Sequence, residues 1–234
     1  MFMHPFFKPQ VSAIWAALLL ATAAPAWADN DAQFEQAVAA YNTGNYKQAF
    51  HLLQPLAQQG DAMAQNNLGA MYNNGQGVVQ SYQQAMAWYQ KAANQGYSDA
   101  QFNLGVMYEK GRGVAQNDKQ AMAWYQKAAN QGDAKAQNNL GLMYRDGQGV
   151  AKNDKQAVAW FQKAANQGVA QAQNNLGAMY ANGLGVAKNY QQAKAWWQKV
   201  LAQPDTEENT EPKALARDNL QKLREIGHIG QKRC

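Results

Sequence analysis

A chain of 234 residues, 47% of them hydrophobic and 16% charged, is long enough to bury a core. One Cys excludes a disulfide framework. The formal net charge of +5 reads as diffuse along the chain and gives no argument for a nucleic-acid partner.

The N-terminal residues 1–28 read as a secretory leader. Lys8 supplies the positive end, Val11 to Ala24 the apolar stretch, and Ala26-Trp27-Ala28 an Ala-x-Ala cleavage pattern. The apolar run falls short of the ~20 residues that span a bilayer, which argues against an anchor. The expected mature protein begins at Asp29, is not membrane-spanning, and resides in a bacterial periplasm or is secreted beyond it. Export also removes nucleic acid as a partner.

Beyond the leader, one block repeats in unbroken register. Ala64-Gln65-Asn66-Asn67-Leu68-Gly69-Ala70-Met71-Tyr72 returns thirty-six residues later as Ala100 to Tyr108, then as Ala136 to Tyr144 and Ala172 to Tyr180. A fixed period of this size marks a stacked-repeat architecture, in which no unit buries its apolar face alone. Within a repeat, Ala64, Leu68, Met71 and Tyr72 share one helical face. Gly69 lies inside that helix at a cost of roughly 1 kcal/mol relative to Ala, so its return at 105, 141 and 177 predicts close approach by a neighbouring helix. Gly75 supplies a left-handed C-terminal cap, and Gly77-Val78 turns the chain. A second helix is predicted from Tyr82, with Ala85, Trp88, Tyr89, Ala92 and Ala93 inward and Gly96 at its close. Large residues alternate with small ones, so Trp and Tyr should settle over Ala and Gly. The ladder Trp88, Trp124, Trp160 and Trp196 is read as core rather than as a stacking platform. Lys91, Lys127, Lys163 and Lys199 should lay their stems over that core with their heads in water.

The predicted organisation is a divergent repeat at 29–60, four full repeats at 61–96, 97–132, 133–168 and 169–203, an acidic linker at 204–212, and a capping helix with its tail at 213–234. In the first of these, Tyr46 and Gly60 lie one period before Tyr82 and Gly96. Near the end, Ala216 to Leu220 echoes Ala172 to Leu176 at an offset enlarged by the Pro204–Pro212 insertion. The fold class is all-α, a right-handed superhelical solenoid of antiparallel helix pairs with about eleven helices.

Catalytic groups are sparse. Past the leader stand two Ser (Ser81 and Ser98) and two His (His51 and His228), with no Ser-x-x-Lys motif and no Cys/His cluster at metal-ligand spacing. Gly75-Gln76-Gly77 joins two helices and lacks the strand of a dinucleotide fingerprint. Asp205 to Glu211 lacks the alternation of a calcium loop. No cofactor, no metal and no enzymatic activity are expected. Cys234 leaves a monomer, with a dimer through that residue as the covalent alternative.

The motif Ala-x-x-x-Leu-Gly-x-Met-Tyr, then Gly-x-Gly-Val, then Ala-x-Ala-Trp-Tyr-x-Lys-Ala-Ala-x-Gln-Gly resembles the Sel-1-like repeat of the tetratricopeptide superfamily. The Cys of disulfide-bearing members and the lipid-accepting Cys of others are missing here. The resemblance implies a scaffold or adaptor that holds a protein or extended peptide on a concave side lined by the first helices. Candidate contacts are Asn66, Phe102, Asn138 and Asn174, with Val106, Leu142, Glu109, Lys110, Arg145 and Asp146 further along. The Asn row offers donors and acceptors to a peptide backbone. The following row, Asn67, Asn103, Asn139 and Asn175, serves either the same purpose or bonds to a neighbouring helix. Some relatives are immunity proteins that neutralise toxic effectors, which is the second reading. An envelope hydrolase of β-lactamase-like type is the third.

Overall fold

The computed structural model describes the backbone of residues 26–231 and the side chains of 30–225. Among the described residues the elements are eleven α-helices and no strand. The expected leader lies outside them except for its last three residues, which begin the first helix; Cys234 lies outside as well. The chain divides into two compact units, residues 1–116 and 117–234. The first holds α1 (Ala26–Asn42), α2 (Tyr46–Gln58), α3 (Ala62–Asn74), α4 (Tyr82–Asn94) and α5 (Ser98–Lys110). The second holds α6 (Asp118–Asn130), α7 (Ala134–Asp146), α8 (Asp154–Asn166), α9 (Ala170–Asn182), α10 (Tyr190–Leu201) and α11 (Glu207–Gln231). Within each unit every helix packs on the next, and α11 also returns to α9.

Local chemistry explains the helix limits. Asp61 and Asp133 accept the N–H of Ala64 and Ala136, and so cap α3 and α7. Ser81, Asn153 and Asn189 cap the second helices in the same way. Gly75, at φ 68°, ends α3 by donating to the Met71 carbonyl.

The helical glycines meet aromatic rings. A Cβ on Gly69 would lie 2.6 Å from the Tyr89 ring, and one on Gly177 would lie 2.5 Å from the Trp197 indole nitrogen. Gly141 stands in the same relation to Phe161. At these three glycines the large-on-small packing uses the second aromatic of the Trp88-Tyr89, Trp160-Phe161 and Trp196-Trp197 pairs, inside one repeat. The preceding Trp stands at the margin: Trp88 and Trp124 are half-buried, Trp160 and Trp196 buried. Its outer face carries a lysine, with Lys91, Lys127, Lys163 and Lys199 ammonium groups 3.8–4.1 Å from the ring centroids. The heads expected in water thus rest on indole faces, where the ring quadrupole attracts them.

Tyr89 is fully buried and its hydroxyl has no hydrogen-bond partner among the described residues. Burial pushes the phenol well above its ordinary range, so it stays protonated. Because a buried orphan hydroxyl costs free energy, Tyr89→Phe is expected to leave the protein as stable or up to ~1 kcal/mol more stable. Urea midpoints of the two proteins check this; a loss of stability would reveal a partner for the hydroxyl.

The second glycine of each loop is the joint between repeats. A Cβ on Gly113 would lie 2.7 Å from the Tyr82 carbonyl, and one on Gly149 2.6 Å from that of Asp118. Gly77 and Gly185 press on Tyr46 and Asp154 in the same way. Each loop thus docks on the first turn of the preceding second helix, too closely for any side chain.

Residues 204–212 are not a linker in full. Residues 202–206 connect α10 to α11, so only Pro204, Asp205 and Thr206 of the expected linker lie outside a helix, and the first turn of α11 holds Glu207 and Glu208. Carboxylates there face the positive end of the helix dipole, so the acidic run favours the helix start that it was expected to separate. Lys213, nearly buried, pairs at 2.5 Å with the exposed Asp205 and ties this entry down.

Candidate interaction surface

The first helices of the repeats, α3 and α5 in one unit and α7 and α9 in the other, carry every candidate contact. Asn66, Asn138 and Asn174 are only 2–6% exposed. Asn103 donates to the Asn66 side-chain oxygen at 2.9 Å, and Asn175 donates to that of Asn138 at 3.3 Å. Asn174 donates to the Pro212 carbonyl at 2.8 Å. These amides therefore lie inside the stack and join it, which corrects the expectation that they display a ladder to a peptide. The physical reason is spacing: amides one repeat apart are within reach of each other, and a buried amide must find a partner. Of the second Asn row, Asn103 and Asn175 bond to a side chain of the preceding first helix.

The remaining candidates lie nearer the surface. Phe102, Val106 and Glu109 are half-buried on α5, and the exposed Lys110 pairs with Glu109 at 2.6 Å. On α7, Leu142 is half-buried against the core. Arg145 clasps Asp146 through two hydrogen bonds of 2.7 Å and reaches the Asn175 oxygen at 3.4 Å. The Arg145 hydrogen bonds hold the Asp146 carboxyl below its usual range, and the carboxylate in turn raises the guanidinium. Both stay charged, and the guanidinium is fixed by three bonds before any partner arrives.

A glutamine relay passed unnoticed in the sequence. Buried Gln65, Gln137 and Gln173 donate to the Ala57, Ala129 and Ala165 carbonyls of the preceding helix. Their oxygens accept from Gln95, Gln167 and Gln203, which also donate to the Gly60, Gly132 and Gly168 carbonyls. The signal was available: Gln recurs at both positions in register with the apolar residues, although a long amide beside Ala in a helix gains only from bonding.

With helix pairs, glycine joints and amide bridges in place, the matching of known families becomes decisive. The Sel1 repeat family matches five times, at residues 32–61, 62–97, 98–133, 134–169 and 170–203. The chain is a Sel1 repeat protein. The segment expected as a divergent unit supplies the first of its Sel1 repeats. A Sel1 repeat protein of Oxalobacter formigenes is 38% identical over 71% of this chain and 69% of its own, with a TM-score of 0.67. A protective antigen present in uropathogenic Escherichia coli strains, with an SLR fold, is 33% identical over 81% of this chain at a TM-score of 0.70. This chain covers 46% of that antigen's length. An immunity protein of Pseudomonas aeruginosa, 22% identical over 85% of this chain and 82% of its own, shares the fold at a TM-score of 0.52. No match was found among curated proteins. Sel1 repeat proteins act as protein-interaction scaffolds and are generally non-catalytic.

Proposed function

We propose that this Sel1 repeat protein is a non-catalytic, exported adaptor of the bacterial envelope that binds a protein or extended peptide on its first-helix faces. The observation that carries the reading is the Arg145–Asp146–Asn175 group. Where the other repeats have Asn73, Glu109 or Ala181, α7 presents a guanidinium already oriented by its neighbours. A fixed, charged group at a position that varies between repeats supplies specificity without ordering cost on binding. In the other unit Phe102, Val106, Glu109 and Lys110 mark the corresponding face of α5. The buried Asn66, Asn138 and Asn174 hold these faces in register and do not themselves touch the partner.

The protein is expected to retain one or a few proteins from periplasmic extract. Phe102→Ala/Arg145→Ala together should weaken capture at least tenfold with the helical circular-dichroism signal unchanged. Equal capture by the folded variant would remove these faces from the binding surface. The immunity reading is a second proposal, drawn from the family resemblance; it predicts a single tight partner that is toxic when expressed alone. The chain's 22% identity to the Pseudomonas immunity protein speaks for fold alone.

A further inference from the structure

The basic charge is not diffuse, contrary to the reading of composition. Residues 117–203 hold ten Lys and Arg against four Asp, whereas residues 29–116 hold four against six Asp and Glu. Six of the ten are lysines on the second helices of one unit: Lys119 and Lys127 on α6, Lys155 and Lys163 on α8, Lys194 and Lys199 on α10. All six are exposed. The glycine joints bring these helices into consecutive order, Gly149 against the start of α6 and Gly185 against the start of α8.

Three features of this face bear on its partner. Exposed Ala123 and Ala159 lie between the lysines of α6 and α8, and exposed Ala195 lies between the lysines of α10, so the rows are low and admit a broad surface. The indoles hold Lys127, Lys163 and Lys199 at 3.8, 4.1 and 4.0 Å, which limits the freedom that docking must remove. All six cations are Lys rather than Arg, hence compact point charges without the fork that selects a carboxylate bidentately. The acidic groups on these helices are Asp118 and Asp154, both half-buried in first turns, and α10 has none.

We propose that the lysine face of α6, α8 and α10 docks on an anionic lipid bilayer, with headgroup phosphates as the ligand. Non-directional cations spread over several helices match a surface whose charges are numerous and laterally mobile. Such a face serves a sheet of phosphates better than a folded protein with a few fixed carboxylates. It leaves the first-helix faces free, so the protein could hold a partner at the membrane surface while remaining peripheral.

Co-sedimentation of the purified protein with phosphatidylcholine vesicles, with and without phosphatidylglycerol, tests this. Binding to the neutral vesicles sets the charge-independent background. Added phosphatidylglycerol should strengthen binding, and salt should reverse the gain. Each lysine near the surface is worth about fivefold. Lys119→Gln, Lys127→Gln, Lys155→Gln and Lys163→Gln together should therefore lower the anionic component at least a hundredfold. Lys47→Gln should change it little. In the unmutated protein, anionic vesicles should shield Lys119 and Lys155 from acetylation but not Lys110, a readout independent of any variant's folding. Absence of phosphatidylglycerol-dependent binding at low salt would overturn the proposal. So would acetylation protection outside this face, or retention on immobilised polyglutamate without vesicle binding, which would give the face to an acidic polypeptide.

Discussion

Gly149→Ala is expected to lower unfolding stability by ~2–5 kcal/mol, a loss out of proportion to one added methyl group. Two costs combine. At φ 68° an L-residue loses roughly 1–2 kcal/mol relative to glycine. The new Cβ would also stand 2.6 Å from the Asp118 carbonyl oxygen, and relieving such overlap typically costs about 1–3 kcal/mol. Gly147 is the internal control: its φ is 73°, yet its nearest neighbour would lie at an ordinary 3.5 Å. Gly147→Ala should therefore show the conformational cost alone, about 1–2 kcal/mol. Urea unfolding of both variants separates the terms. Equal losses would mean that the loop retreats freely from α6 and that the joint between repeats is soft.

Phe161→Ala should be comparably severe, at ~3–5 kcal/mol, because the ring is fully buried on Gly141 and its removal leaves a cavity beside a residue with no side chain to fill it. Trp124→Ala, although it deletes a larger group, should cost less, roughly 1–3 kcal/mol. Trp124 is half-buried and its outer face is covered by Lys127 at 3.8 Å. The order of the two losses is the test. If Trp124→Ala proved the more damaging, the assignment of the second aromatic as the core member of each pair would fail.

These two results bear on why parts of the chain were legible and others were not. The repeated Leu, Met, Gly and Trp positions specify helix pairs because a 3.6-residue period and a glycine stop act locally, over one or two turns. Gly69 and its copies announced a close approach, since a mid-helix glycine has no other reason to recur. Which ring filled the space was not local: Trp88 and Tyr89 differ by one helical step, and only the angle between α3 and α4 puts Tyr89 on the glycine. Likewise the acidic run at 204–212 read as a linker because prolines bracket it, whereas the helix dipole and the Lys213–Asp205 pair draw most of it into α11.

The candidate surface divides along the same line. That the first helices carry repeated amides and variable charges followed from the sequence, as did the repeat family, the number of helices and the scarcity of catalytic groups. Whether an amide faces a partner or a neighbouring repeat depends on helix-to-helix distances that no local pattern encodes. The tertiary structure decided it by bringing Asn103 to Asn66 and Asn175 to Asn138. It also decided that Arg145 is held by Asp146 and Asn175, and that six lysines on three second helices of one unit are exposed. Local periodicity determined what each helix is, and packing distances determined which of its side chains remain for others.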